Sequence, residues 1–139
     1  MSKLKKSTFA ALLLIVLTTL FSCELNSEDG RWTRMKWTSD RPGDPRKITA
    51  TAEGGTYQLK CTNYGGPWIN NVTSQDTTIF GSSKEQDFRH IKYDWYDVLA
   101  KENTFYITLL SNTTGKERKL SIDVTAGDIF DHIEVTQNK

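Results

Sequence analysis

The sequence predicts an antiparallel β-sandwich of about seven short strands. Three observations carry this reading. Apolar residues recur at every second position in several short segments. Turn-forming residues separate those segments at intervals of about ten residues. No segment keeps a helical period for more than about two turns.

The elements follow in order. Arg31 to Trp37 alternates weakly through Trp32, Met35 and Trp37, and Arg41-Pro42-Gly43-Asp44-Pro45 is a turn by composition. Lys47 to Ala52 alternates through Ile48, Ala50 and Ala52. Glu53-Gly54-Gly55 then reads as a tight hairpin turn, since glycine takes positive φ without a steric penalty. Thr56 to Asn63 puts Tyr57, Leu59 and Cys61 on one buried face. Tyr64-Gly65-Gly66-Pro67-Trp68 reads as a loop. Thr77 to Phe80 and Phe88 to Tyr93 are shorter strands, and Asp94 to Lys101 reads as a short helical turn carrying Trp95 and Tyr96. The last third alternates most clearly. Thr104 to Leu110, Arg118 to Ala126 and Ile129 to Gln137 are strands, joined by Ser111-Asn112-Thr113-Thr114-Gly115 and by Gly127-Asp128.

Before this domain stands an export leader. Lys3, Lys5 and Lys6 precede an apolar run from Phe9 to Leu17, which is too short to span a bilayer core. Leu20-Phe21-Ser22-Cys23 resembles the lipobox of bacterial lipoproteins. The resemblance implies cleavage before Cys23 and acylation of its thiol, and more than one acyl chain gives stable anchoring. The expected organisation is a signal peptide at 1–22, a lipidated cysteine with tether and lead-in at 23–46, and the sandwich at 47–139. The acidic stretch Glu24 to Gly30 loosely resembles a surface-export signal of Bacteroidetes lipoproteins. The expected location is therefore the cell envelope, as an outer-membrane lipoprotein.

Composition narrows the function classes. Cleavage at 22 of 139 residues leaves 117, enough for one modest core. Without the three leader lysines, 15 basic residues face 17 acidic ones, and no basic stripe suggests nucleic acid. Cys61 is then the one remaining cysteine, so no intrachain disulfide forms. His90 and His132 lack the spacing of a zinc site, and Asp76, Asp94, Asp97 and Asp128 show no calcium-loop ladder. No elbow motif or paired-carboxylate pattern points to an active site. No enzyme activity, metal or cofactor is expected.

The run Asn112-Thr113-Thr114-Gly115-Lys116-Glu117-Arg118, the strand Leu120 to Gly127, and the ending Ile133-Glu134-Val135-Thr136-Gln137 resemble the C-terminal half of a BACON domain. Gly54-Gly55-Thr56-Tyr57 with Trp68, and Trp95 with Val98, resemble its earlier segments. The likeness spans roughly Ile48 to Gln137, and the polar stretch from Asn70 to His90 departs from it. It implies an immunoglobulin-like sandwich and an association with carbohydrate or mucin. Glycan is accordingly the favoured ligand class. Sugar-binding sandwiches set flat aromatics against sugar rings, and the candidates are Tyr64, Trp68, Trp95 and Tyr96, flanked by Asn63, Asn70 and Asp97. Each tryptophan also fits a core position, because sandwiches commonly bury one or two. A second function fits the same sequence: a structural or protein-interaction lipoprotein that pairs a partner strand along an exposed edge.

Overall fold

Alternation of apolar and polar residues builds ten strands here, more than the sequence suggests. They are β1 (Trp37–Ser39), β2 (Lys47–Ala50), β3 (Gly55–Cys61), β4 (Trp68–Ser74), β5 (Thr77–Phe80), β6 (His90–Tyr93), β7 (Tyr96–Lys101), β8 (Thr104–Leu109), β9 (Arg118–Ala126) and β10 (Ile129–Gln137). The computed structural model describes residues 32–84 and 86–139, so the leader, Cys23 and the tether lie outside the described residues. Among the described residues the fold is all-β. Two five-stranded sheets run in the orders β1-β3-β8-β7-β6 and β2-β10-β9-β4-β5. Neighbouring strands are antiparallel, except that β2 lies parallel to β10.

The core follows from period-two alternation. In β3, Tyr57, Leu59 and Cys61 point inward, and in β8 so do Phe105, Ile107 and Leu109. The second sheet contributes Ile69 and Val72 from β4, Leu120, Ile122 and Val124 from β9, and Ile133 and Val135 from β10. A smaller cluster of Met35, Cys61 and Ile129 gathers Trp37, Tyr64 and Ala126 around it. The Cys61 thiol is thus a buried core group, as its place in the alternation implies.

Three local expectations change. Asp94 to Lys101 is no helical turn: Asp94 takes φ 45° in a two-residue connection, and Tyr96 begins β7 paired with Tyr93. The hairpin buries both adjacent rings, Trp95 and Tyr96. Glu53-Gly54-Gly55 is no hairpin either, because β2 and β3 belong to different sheets. The chain crosses there through a turn closed by Gly54 N–H donating to Thr51 O at 3.1 Å. Gly54 sits at φ 79°, and a Cβ on it would meet Leu109 O at 2.2 Å. The polar stretch after Trp68 holds the internal strand β4, whose alternation is broken by a bulge between Ile69 and Asn71. The compact unit spans Thr33–Lys139. Trp37 of β1 packs edge-on against Phe105, with ring centroids 5.4 Å apart, and its Nε1–H donates to Asp131 Oδ2 at 2.8 Å.

A buried polar network ties the two sheets' crossing points together. Arg118 Nε donates to Gln137 Oε1 at 2.9 Å, and Nη2 donates to Leu110 O at 2.9 Å. Gln137 Nε2 returns to Leu110 O at 3.0 Å and to Thr51 O at 3.2 Å. The guanidinium lies 4.1 Å from the centroid of Trp95, whose Nε1–H donates to Ser74 Oγ at 3.2 Å. Asn112 Nδ2 donates to Lys116 O at 2.7 Å and Asn138 O at 2.8 Å, fastening the turn before β9 to the end of the chain. Burial lowers the Arg118 pKa from its usual value, with Asp94 acting in the opposite direction. These bonds satisfy groups that would otherwise be stranded in the core.

Candidate ligand-binding face

The four aromatics expected to stack on sugars do not share a surface. Trp95 and Tyr96 are buried in the main core, 5% and 2% exposed, with their rings edge-on at 5.6 Å. Neither is available to a ligand. Tyr64 is half-buried on the smaller cluster, and its hydroxyl donates to the backbone carbonyl of Thr33. It fastens the lead-in segment to the sandwich. Trp68 alone lies on an outer sheet face. Of the flanking polar residues, Asn63 Nδ2 donates to Arg34 O at 3.0 Å, and Asp97 accepts from His90 Nε2 at 2.8 Å on the opposite sheet. Asn70 is the bulge residue beside Trp68.

Register shows what accompanies Trp68. On the outer face of the second sheet, Trp68 lies across from Thr125 of β9, and Thr125 lies across from Phe130 of β10. Phe130 is 72% exposed, while Thr125, held between two aromatics, is 4% exposed. The next row is Phe80, Asn71, Asp123 and His132, from β5, β4, β9 and β10. The row after that is Thr78, Thr73, Ser121 and Glu134.

Polar side chains in these rows are hydrogen-bonded to one another. Asn71 Nδ2 donates to Asp123 Oδ2 at 3.0 Å, and His132 Nδ1 donates to Asp123 Oδ1 at 2.8 Å. His132 Nε2 lies 3.4 Å from Ser121 Oγ and 3.6 Å from Glu134 Oε1. Thr73 and Thr78 share a hydroxyl bond of 2.9 Å. Such bonds hold the side chains in fixed rotamers with lone pairs and protons still facing solvent.

Two shallow depressions run along this face and share His132. One, of about 380 Å³, is lined by Arg34, Asn70, Asp123, Phe130 and His132 among others. The other, of about 480 Å³, is lined by Thr73, Gln75, Ser121, Glu134 and Thr136 as well as His132. Together they form a trough along β10 from Phe130 to Thr136. Six steps of about 3.4 Å between these seven residues make it roughly 20 Å long. That length suits an extended chain better than a single small molecule.

Ser121, His132 and Asp123 stand in the order of a hydrolytic triad. The surroundings do not complete one. Ser121 sits in a strand paired on both sides, with Glu134 across from it on β10 and Thr73 on β4. Backbone N–H groups of such a strand lie in the sheet plane and are spent on the ladder. None converges above the hydroxyl as oxyanion stabilisation requires. No group of three or more metal-ligating side chains forms a metal site among the described residues.

The exposed aromatics of this face went unread in the sequence, although a signal was present. Phe130 shares the outward parity of His132 and Glu134, out of phase with Ile129, Ile133 and Val135. Phe80 likewise shares parity with Thr78. A large aromatic among the polar positions of a strand marks a surface that exposes it.

No protein-family model matches the chain, and no curated protein matches it. Among solved structures, it is similar to the NMR structure of a protein from Bacteroides thetaiotaomicron. The two superpose with a TM-score of 0.69 and are 27% identical, and the match covers 84% of this chain and 97% of the other.

Proposed function

We propose that this protein is a non-catalytic glycan-binding module of the bacterial cell envelope, with the trough on its second sheet as the ligand surface. The supporting observation is the adjoining of an aromatic row, Trp68–Thr125–Phe130, to a hydrogen-bonded row, Asn71–Asp123–His132. Sugar rings offer apolar faces and hydroxyl edges, and this surface offers the complement of both. Exposed Phe130 and Phe80 supply flat area with few rotatable bonds. The polar row supplies fixed acceptors and donors.

On this reading the module is an immunoglobulin-like sandwich of BACON type on a lipid tether. Three residues quoted for that family, Asn112, Arg118 and Gln137, occupy buried positions that bond the crossing points of the fold, which gives the motif a physical purpose. The similar structure from a Bacteroides is in keeping with such an origin. Acyl chains on Cys23 would hold the domain at the outer membrane, leaving it free to sample nearby polysaccharide. Pairing of a partner strand along an edge has less support. The edge strands β1, β2, β5 and β6 are three or four residues long, a length that natural sheets use to discourage edge pairing.

A glycan array probed with the full-length protein in neutral detergent tests the proposal. Binding to a restricted set of oligosaccharides is expected, and Phe130→Ala should weaken it about tenfold. An array without any bound glycan would remove the proposal. The anchor has a separate test: Cys23→Ser should abolish palmitate labelling and release the protein from membranes.

A further inference from the structure

We infer that the cleft between the Ser39–Pro45 turn and β2 binds an acidic group, a sulfate or carboxylate, carried by a glycan; this deepens the glycan reading and rests on it. The cleft, of about 180 Å³, is lined by Ser39, Arg41, Asp44, Lys47, Thr49 and Tyr57 among others. A neighbouring depression of about 370 Å³ shares Asp44 and Pro45 with it and adds Arg34, Lys36 and Arg46.

Charge in this region is unevenly matched. Of the three carboxylates in this region, Arg46 engages two, at 3.5 Å from Asp44 Oδ1 and 3.5 Å from Asp131 Oδ1, while the third, Asp40, accepts from Ser39 Oγ at 3.3 Å. Asp131 also accepts from Trp37, and Asp44 accepts from the Arg46 backbone N–H at 3.0 Å, the main reason its pKa lies below the ordinary value. That leaves Arg34, Lys36, Arg41 and Lys47 without a carboxylate within 4.0 Å among the described residues. All four are exposed.

Arg41 is also pre-positioned. Its guanidinium lies 4.2 Å from the centroid of the buried Tyr57 ring, and it donates no side-chain hydrogen bond within the described residues. A guanidinium held over an aromatic face keeps its fork of N–H donors directed outward, which suits bidentate contact with planar or tetrahedral oxyanions. Thr49 also lines the cleft, and the Ser39 hydroxyl there braces the turn, donating to Asp40 Oδ1 and accepting from the Arg41 backbone N–H at 3.2 Å. Four such cations gathered on a unit, Thr33–Lys139, whose basic and acidic residues are balanced at 14 each favour an acidic ligand over a neutral one.

The test compares dextran sulfate and polygalacturonate with neutral dextran, using full-length protein in neutral detergent at low salt. The wild type should bind both acidic polymers and favour them over dextran at least tenfold. Arg41→Ala/Lys47→Ala should lose that preference, whereas Arg41→Lys should keep part of it, and thermal melts confirm that the variants are folded. A control pair on the other sheet, Lys60→Ala/Lys101→Ala, should change little. Equal binding of acidic and neutral polymer overturns the inference, as does an equal loss in the control pair. Binding confined to micelles doped with phosphatidylglycerol also overturns it, in favour of a membrane surface. Neutral oligosaccharides bound at the trough without any acidic preference would reject this inference while leaving the glycan reading intact.

Discussion

Arg118 shows how a residue readable as a motif acquires its reason only in three dimensions. The sequence places it at the start of a strand, but its partners Gln137, Leu110 and Trp95 come from three other segments. Arg118→Met keeps the apolar stem and removes every bond of the guanidinium. It should lower unfolding free energy by about 2–4 kcal/mol in denaturant titration, given the usual worth of hydrogen bonds to a charged group. Tyr96 presents the opposite case. Its hydroxyl is the one buried side-chain polar atom without a partner among the described residues. Tyr96→Phe should therefore raise stability by about 1 kcal/mol. Burial, reinforced by Tyr93 and Asp94, pushes the Tyr96 pKa up to about 12. The folded state holds this proton more tightly than the unfolded chain does. Its contribution is complete below about pH 10, the ordinary tyrosine value, and is lost as pH rises toward about 12. Alkaline denaturation followed by circular dichroism should show that loss in the wild type and a smaller one in Tyr96→Phe.

At the level of elements, the hairpins share one device. The connections β4–β5, β6–β7, β7–β8 and β9–β10 each span two residues, and the first of the two has positive φ: Gln75, Asp94, Glu102 and Gly127. Such turns match the twist of antiparallel strands, but a side chain in the left-handed region is strained. Gln75→Gly and Glu102→Gly should each raise thermal stability, by up to about 1 kcal/mol. Gly54→Ala should do the reverse, since both its φ and the closeness of Leu109 O forbid a Cβ; a loss of about 3 kcal/mol or more is expected. These turns also explain which elements were legible. Arg118–Ala126 and Ile129–Gln137 are legible with their observed bounds because Leu120, Ile122 and Val124, then Ile133 and Val135, recur at every second position on either side of a Gly-Asp turn. The β6–β7 turn at Asp94-Trp95 has no glycine, so it passed for a helix. In β4, the bulge at Asn70 shifts the phase, and the outward Asn71 and Thr73 make the strand look like a polar loop.

For the molecule as a whole, the arrangement of sheets decides which aromatics are offered to solvent. Trp68 was legible as a candidate because large aromatics after glycine-rich loops are conspicuous. Its companion Phe80 comes from β5, which pairs directly with its own strand β4, and Phe130 and His132 come from β10, which reaches it only across β9; pairing order is not written in a local pattern. The same ordering sends Trp95 and Tyr96 inside and uses Tyr64 to clasp the lead-in segment. The outer face of the first sheet serves as an internal reference. It carries Thr56, Thr108, Tyr106 and Leu99 in register and belongs to the other sheet from the trough. The most direct measurement is a titration of isotopically labelled full-length protein with an oligosaccharide from the array, followed through backbone amide shifts. Shifts concentrated at Phe130, His132, Asp123, Ser121 and Thr73, with Thr56, Tyr106 and Thr108 unmoved, are the predicted result. Shifts centred on the first sheet, or none at millimolar ligand, would contradict it.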